Sequence, residues 1–212
     1  MKAKNFRVIG FLVLLGAFAG CSFVVQPGRR SDVEKIKKLS EKVDELTEAQ
    51  RLLEERLARE IGDNEVQLSR QEKGLVITFV ADILFDSGKA KLKPEAYASM
   101  DKVARVLNEN VADFKVGVEG HTDNQPIKFS PWKSNWRLSS ERALSVLEYL
   151  VDEKQVAPER LSALAYGEYQ AVADNSTAEG RKLNRRVEIV IFPKIAKVKQ
   201  QEEDREEEEN LK

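Results

Sequence analysis

The chain has 212 residues, of which 42% are hydrophobic and 33% charged, enough for one globular domain with strongly solvated accessories. Thirty-five basic residues stand against 36 acidic ones, so no global basic excess points to nucleic acid. One cysteine excludes an internal disulfide framework, and with a single histidine it cannot build a zinc site of the usual four ligands. The near-neutral total hides a segmental pattern. Residues 1–30 carry five basic and no acidic side chains, residues 31–72 eight and 12, residues 73–199 20 and 17, and residues 200–212 two and seven.

Lys2, Lys4 and Arg7 open the chain and precede the uncharged run Val8 to Val25, within which the small residues Ala17, Ala19 and Gly20 lead up to Cys21. A positive start, an apolar stretch and small residues before a cut form the pattern of a secretory signal. Phe18, Ala19, Gly20 and Cys21 resemble the bacterial lipoprotein signal, with phenylalanine in place of the usual leucine. The resemblance implies a signal peptide over 1–20 and lipidation of Cys21, which becomes the first residue of the mature chain. Two or more acyl chains anchor a protein stably. Ser22 after the cysteine resembles the signal for the outer membrane, so the expected location is that membrane, facing the periplasm. The alternative is an uncleaved membrane helix over Val8–Val25, whose 18 residues sit at the low edge of a span.

Residues 21–31 read as a linker, with Ser31 or Asp32 available to cap a helix. Ile36, Leu39, Val43, Leu46, Gln50, Leu53 and Leu57 then fall at alternating spacings of three and four, the seam of a coiled coil. A helical stalk is therefore expected over 32–70, with polar Gln50 at a seam position that fixes register. Such a stalk is a spacer and a candidate homo-oligomerisation element. The competing reading is a single amphipathic helix folded back on its own domain.

The globular domain is expected over 73–193. Leu75–Val80 predicts a strand continuing to Leu84 and Phe85, followed by the Asp86-Ser87-Gly88 loop. Pro94 opens a helix whose apolar face carries Tyr97, Met100, Val103, Ala104 and Leu107. Phe114, Val116 and Val118 predict a second strand, and a helix beginning near Ser139 and stopped by Pro158 presents Ala143, Leu147, Leu150 and Val151. Leu161–Tyr166 reads as a third strand, Thr177–Leu183 as a short helix and Val187–Phe192 as the last strand. Strands alternating with helices give an α/β two-layer sandwich, a βαβαβ core with a further short helix and final strand. Residues 194–212 form an acidic tail expected to be solvated and disordered.

Several motifs occur in one order: Leu84 to Gly88, Gly120 to Asn124, Ser134 to Trp136, Leu138-Ser139, Arg142-Ala143, and Gly180-Arg181 through Asn184 to Glu188. Together they resemble the OmpA-like peptidoglycan-binding domain, in its motility-protein-B-like variant, over residues 75–192. The resemblance implies a mixed sheet and a non-catalytic site for diaminopimelate in the peptide stem of peptidoglycan. A zwitterionic stem end needs an anion and a cation held side by side. By motif matching, Asp123 takes the ammonium and Arg142 the carboxylate, Asn135 and Arg185 add polar contacts, and Phe85, Ser87 and Gly88 line the pocket. Ala171 replaces a proline the family often carries.

With Ser139 as cap, Arg142 falls at the third position of a helix, where the macrodipole disfavours a cation unless an anion sits opposite. An intramolecular pair with Glu141 or Asp123 would satisfy it as well as a ligand. His121, two residues before Asp123, raises a His–Asp hydrolase reading, but no convincing nucleophile motif accompanies it, and a loop-fixing hydrogen bond is the expected role. Phe129, Trp132 and Trp136 either stack on glycan or staple their loop. No cofactor is expected. The function expected is a tether of outer membrane or envelope complex to the wall; the alternative is a stator-like or anchoring subunit of a flagellar motor or envelope machine. A proton-relaying span needs an ionisable carboxylate, and Val8–Val25 contains none.

Overall fold

The computed structural model describes residues 28–128 and 130–193. The signal segment with Cys21, Phe129 and the tail 194–212 lie outside the described residues. Helix α1 (Gly28–Arg56) is followed by the short α2 (Ala58–Gly62), strand β1 (Val66–Gln71), strand β2 (Gly74–Val80) and the helical turn α3 (Ala81–Leu84). Helix α4 (Ala96–Glu109), strand β3 (Lys115–His121), helix α5 (Asn135–Glu148), strand β4 (Leu161–Gly167), helix α6 (Ala178–Asn184) and strand β5 (Arg186–Phe192) complete the fold.

The five strands form one mixed sheet in the order β1-β2-β5-β3-β4. Only β3 and β4 run parallel, joined through α5; the other neighbours are antiparallel. Alternation along the strands separates two faces. Leu75, Ile77, Phe79, Val116, Val118, Val187, Ile189 and Ile191 belong to the core, together with Met100, Val103 and Leu107 of α4 and Ala143, Val146 and Leu150 of α5. The opposite face carries Lys73, Glu119, His121, Arg186 and Glu188. Glu119 and Glu188 are directly opposed across β3 and β5, an arrangement that repels unless bridged. Lys73 Nζ bridges them at 2.8 and 2.9 Å, and Arg186 Nε donates to Glu188 at 2.7 Å.

Four local expectations change. The helical stalk expected over 32–70 begins earlier, at Gly28, so Ser31 and Asp32 lie inside the helix, and its helical part ends at Gly62. Val66–Gln71 is an edge strand, short and half-polar, with a six-residue hairpin register against β2. The strand beginning at Leu75 stops at Val80, because the chain turns into α3, held by Ala81 N–H donating to Arg185 O and Phe85 N–H donating to Ala81 O. Helix α5 starts at Asn135, capped by the Ser134 hydroxyl accepting from Arg137 N–H, and ends at Glu148, where a wide turn Tyr149–Glu153 follows; Pro158 opens a separate short turn rather than stopping the helix.

The seam of α1 divides in two. Leu46, Ala49, Leu53 and Leu57 are buried in the domain core. Lys42–Asp113 (3.9 Å), Arg56–Glu109 (3.6 Å) and Arg70 donating to Gln50 and Thr47 (2.8 Å each) border the contact. Gln50 therefore serves an intramolecular hydrogen bond, and this half of the helix folds back on its own domain. With Ala49 added the buried stripe is wider than a coiled-coil seam, as expected of a helix docked on a globular core. Val33, Ile36, Leu39 and Val43 of the other half remain 46–67% exposed.

Candidate binding site

Four chain segments converge beside the end of β3. The α3 turn and the loop after it bring Asp82, Phe85, Ser87 and Gly88; the loop leaving β3 brings Asp123; and α5 and the end of α6 bring Asn135, Arg142 and Arg185. They line a cleft of about 770 Å³. The close approach of α5 to β3 depends on Gly120, where a Cβ would stand 2.0 Å from Ser139 O. That contact sets the height of Arg142 above the sheet.

Arg142 is 4% exposed. Its Nε donates to Lys89 O at 3.0 Å and its guanidinium lies over the Phe85 ring, 5.1 Å from the centroid. Its Nη1 is buried and has no hydrogen-bond partner among the described residues. Burial pushes its pKa down to about 10, and Arg185 adds to the depression while Asp82 and Asp123 oppose it. It is the eighth residue of α5, so the macrodipole expected to bear on it does not; desolvation does. Neither Glu141 nor Asp123 pairs with it. The result is a desolvated cation with an unused donor, on a residue that lines a cleft of mixed charge, the arrangement suited to a carboxylate.

Asp123 is 7% exposed. Oδ1 accepts from Gln125 N–H at 3.0 Å, which folds the loop back on itself, and Oδ2 accepts from Arg185 Nη1 at 2.9 Å. Arg185 also reaches Asp82, through Nη2 at 3.1 Å and Nε at 3.5 Å. Burial works against its charge, but the two carboxylates hold its pKa above the ordinary value. Asn135 Nδ2 donates to Asp123 O (3.3 Å), Gln125 O (3.2 Å) and Glu168 Oε2 (2.6 Å), so it fixes the loop that carries Asp123. Gly88 adopts φ +67°, and its carbonyl accepts from Trp132 Nε1 at 2.8 Å.

All seven non-lipid site residues named from the sequence are therefore brought together, and Cys21 lies outside the described residues. The two tryptophans separate: Trp132 staples its loop to Gly88, whereas Trp136 is 47% exposed and stacks on Tyr169 at 5.3 Å. Two contributors escaped sequence reasoning. Asp82 was hidden in a run that reads as continuous strand. Asn184, fully buried, accepts from Val172 and Ala173 N–H and donates to Ala173 O and Asn175 Oδ1, pinning the loop in which Ala171 replaces proline. Arg186 is structural, holding Glu188 and Gln170 O.

His121 corrects an expectation. It is buried, neither ring nitrogen has a hydrogen-bond partner among the described residues, and its ring stacks on Tyr166 at 5.0 Å. It fixes its surroundings by packing rather than by a hydrogen bond. Burial pushes its pKa down to about 3, with Arg186 adding to the effect. Asp123 pairs with Arg185, so no His–Asp couple exists. Glu119, His121 and Glu188 place potential ligand atoms within 4.8 Å of one another. The Lys73 ammonium already lies between the two carboxylates, and together with Arg186 it holds the Glu188 pKa down against burial. The chemistry of this cluster is that of a closed ion-pair network, not of an open metal site.

Fold and cleft define an α/β domain with Asp123 and Arg142 in one cleft, and the comparisons with known proteins agree with the fold. Residues 84–185 match the OmpA family, and the chain belongs to that family. It is 40% identical over 134 residues to motility protein B of Bacillus subtilis, covering 63% of this chain and 51% of that one. It is 35% identical over 128 residues to the "Probable lipoprotein YiaD" of Escherichia coli, covering 60% of this chain and 56% of that one. The solved cell wall anchor of the T6SS from Pseudomonas aeruginosa superposes with a TM-score of 0.61 at 34% identity, over 67% of this chain and 97% of that one. The chain spans about half the length of the first curated relatives it matches.

Proposed function

We propose that this protein is a non-catalytic tether that binds the diaminopimelate end of the peptidoglycan stem and is held in the outer membrane by acyl chains on Cys21, facing the periplasm. The observation that carries the wall-binding half is the buried Arg142 guanidinium with Nη1 unused, set in one cleft with Asp123. The stem carboxylate docks on Arg142 and the ammonium on Asp123, with Asn135 holding the Asp123 loop and Phe85, Ser87 and Gly88 forming the wall. Charge-assisted hydrogen bonds contribute roughly 1.5–3 kcal/mol each, so affinity per domain is modest and repeated sites on the polymer add avidity. Pull-down on isolated cell wall tests this: Asp123→Ala and Arg142→Ala each lose retention while keeping the wild-type far-ultraviolet spectrum. Retention of both variants at the wild-type level would refute the site.

The lipid anchor rests on the sequence around Cys21 and on the similarity to a protein named as a lipoprotein. The exposed stripe Val33, Ile36, Leu39 and Val43 supports pairing with a second copy, restricted to the part of α1 that does not dock on the domain. Sedimentation of the Cys21→Ser chain reads the outcome, and a strictly monomeric species would exclude it. The 34% identity to a secretion-system cell wall anchor favours a second reading, in which the same tether is a subunit of an envelope machine. Cross-linking in intact cells separates the two, since a simple tether yields wall adducts alone.

A further inference from the structure

Within the cleft, Asp123 is already engaged. Arg185 Nη1 donates to its Oδ2 at 2.9 Å, while Nη2 and Nε of the same guanidinium reach Asp82 at 3.1 and 3.5 Å. One cation thus sits between two carboxylates, and any ammonium that approaches Asp123 competes with it. The two carboxylates differ. The Asp123 side chain is 10% exposed, whereas that of Asp82 is 49% exposed on the rim. The Nε and Nη2 edge of a guanidinium is the edge that grips one carboxylate with two parallel bonds, and that edge faces Asp82.

The backbones beneath this pair are stitched together. Ala81 N–H donates to Arg185 O at 2.9 Å, Arg185 N–H donates to Arg181 O at 3.0 Å, and Lys93 Nζ donates to Asp82 O at 3.2 Å. Asp82 and Arg185 therefore remain neighbours whether or not Nη1 holds Asp123.

We propose that Asp82 is a positioning residue for ligand binding: it keeps hold of Arg185 while Nη1 leaves Asp123, so that the Asp123 carboxylate is opened to the ligand's ammonium. This rests on the reading given above, that a stem ammonium docks on Asp123. Without the outer carboxylate, Arg185 has Asp123 as its only acidic partner in the cleft and becomes a stronger intramolecular competitor. Asp82 then acts through Arg185, not by touching the ligand.

A double-mutant cycle tests this, using calorimetry of the full chain with a soluble stem tripeptide ending in diaminopimelate. Asp82→Asn weakens binding about threefold to fivefold, the size of one partly exposed ion pair. Asp82→Glu, which keeps the charge, retains wild-type affinity. In an Arg185→Gln background, Asp82→Asn produces no further loss. Equal loss in both backgrounds would mean that Asp82 meets the ligand itself and would overturn the proposal, as would undiminished binding by Asp82→Asn alone. Loss by Asp82→Glu equal to that of Asp82→Asn would overturn it too. A wild-type protein that does not bind the peptide would overturn the wall-binding reading and this inference with it, whereas wild-type binding with the wrong cycle sinks only the inference. Thermal melts of each variant separate unfolding from weakened binding.

Discussion

Replacing Arg142 with methionine should abolish ligand binding and leave the stability of the fold within about 1 kcal/mol of its starting value. The magnitude follows from the burial of the guanidinium. A pKa brought down from the ordinary arginine range to about 10, at about 1.4 kcal/mol per pH unit, places the cost of holding that charge on the order of 3 kcal/mol. Methionine removes this cost and keeps most of the side-chain volume against Phe85. The variant forfeits the hydrogen bond to Lys89 O and the cation–π contact with Phe85, about 1–2 kcal/mol each. The balance lies within about 1 kcal/mol of no change, in either direction. Urea unfolding with a common m-value measures it, beside calorimetry with the stem peptide. A loss of about 2 kcal/mol or more would refute the reasoning, because it would show that Arg142 is held by a structural partner, not reserved for a ligand.

Two further outcomes rest on named contacts and a third on the sequence around Cys21. The His121 ring, with its pKa pushed down to about 3, is bound by protons more readily in the unfolded chain, whose histidine titrates near 6.5. The stability this neutral ring contributes is therefore complete above about pH 6.5 and is lost as pH falls through 6.5 towards 3. His121→Phe keeps the stack on Tyr166 and should flatten the stability profile between pH 6 and 4 by up to about 1.4 kcal/mol per pH unit; parallel profiles for the two proteins would contradict it. Gly120→Ala places a methyl 2.0 Å from Ser139 O and should cost about 3 kcal/mol in urea unfolding by lifting α5 off β3; a loss below about 0.5 kcal/mol would show that the helix has room to move. Cys21→Ser should shift the protein from the membrane to the soluble periplasmic fraction, and persistent membrane association would favour an uncleaved helix.

Much of the site was legible because its residues sit in short ordered motifs around the cleft. Those motifs alone pair Asp123 and Arg142 as anion and cation. They do not show the surroundings of either residue. The helix that carries Arg142 starts at Asn135 because Ser134, not Ser139, supplies the capping oxygen, and two serines five residues apart offer no sequence signal to choose between them. The spacing of Leu46, Leu53 and Leu57 shows that one face of α1 is apolar. It does not show whether that face meets a second copy or the α4 side of its own domain, since both bury the same side chains. Strand β1 has six residues, and one of its faces is polar, so it lacks the hydrophobic run that marks β2 and β5. Asp82 was obscured for another reason: the turn it occupies is set by the hydrogen bond from Ala81 N–H to Arg185 O, a contact more than a hundred residues away in the chain.

One titration tests directly whether Arg142 receives a carboxylate. The full chain is titrated with two soluble stem tripeptides, identical except that the side-chain-end carboxylate of diaminopimelate is free in one and amidated in the other. Amidation should weaken binding about tenfold or more, the loss of one charge-assisted contact to a buried guanidinium. Equal affinity for the two peptides would contradict it.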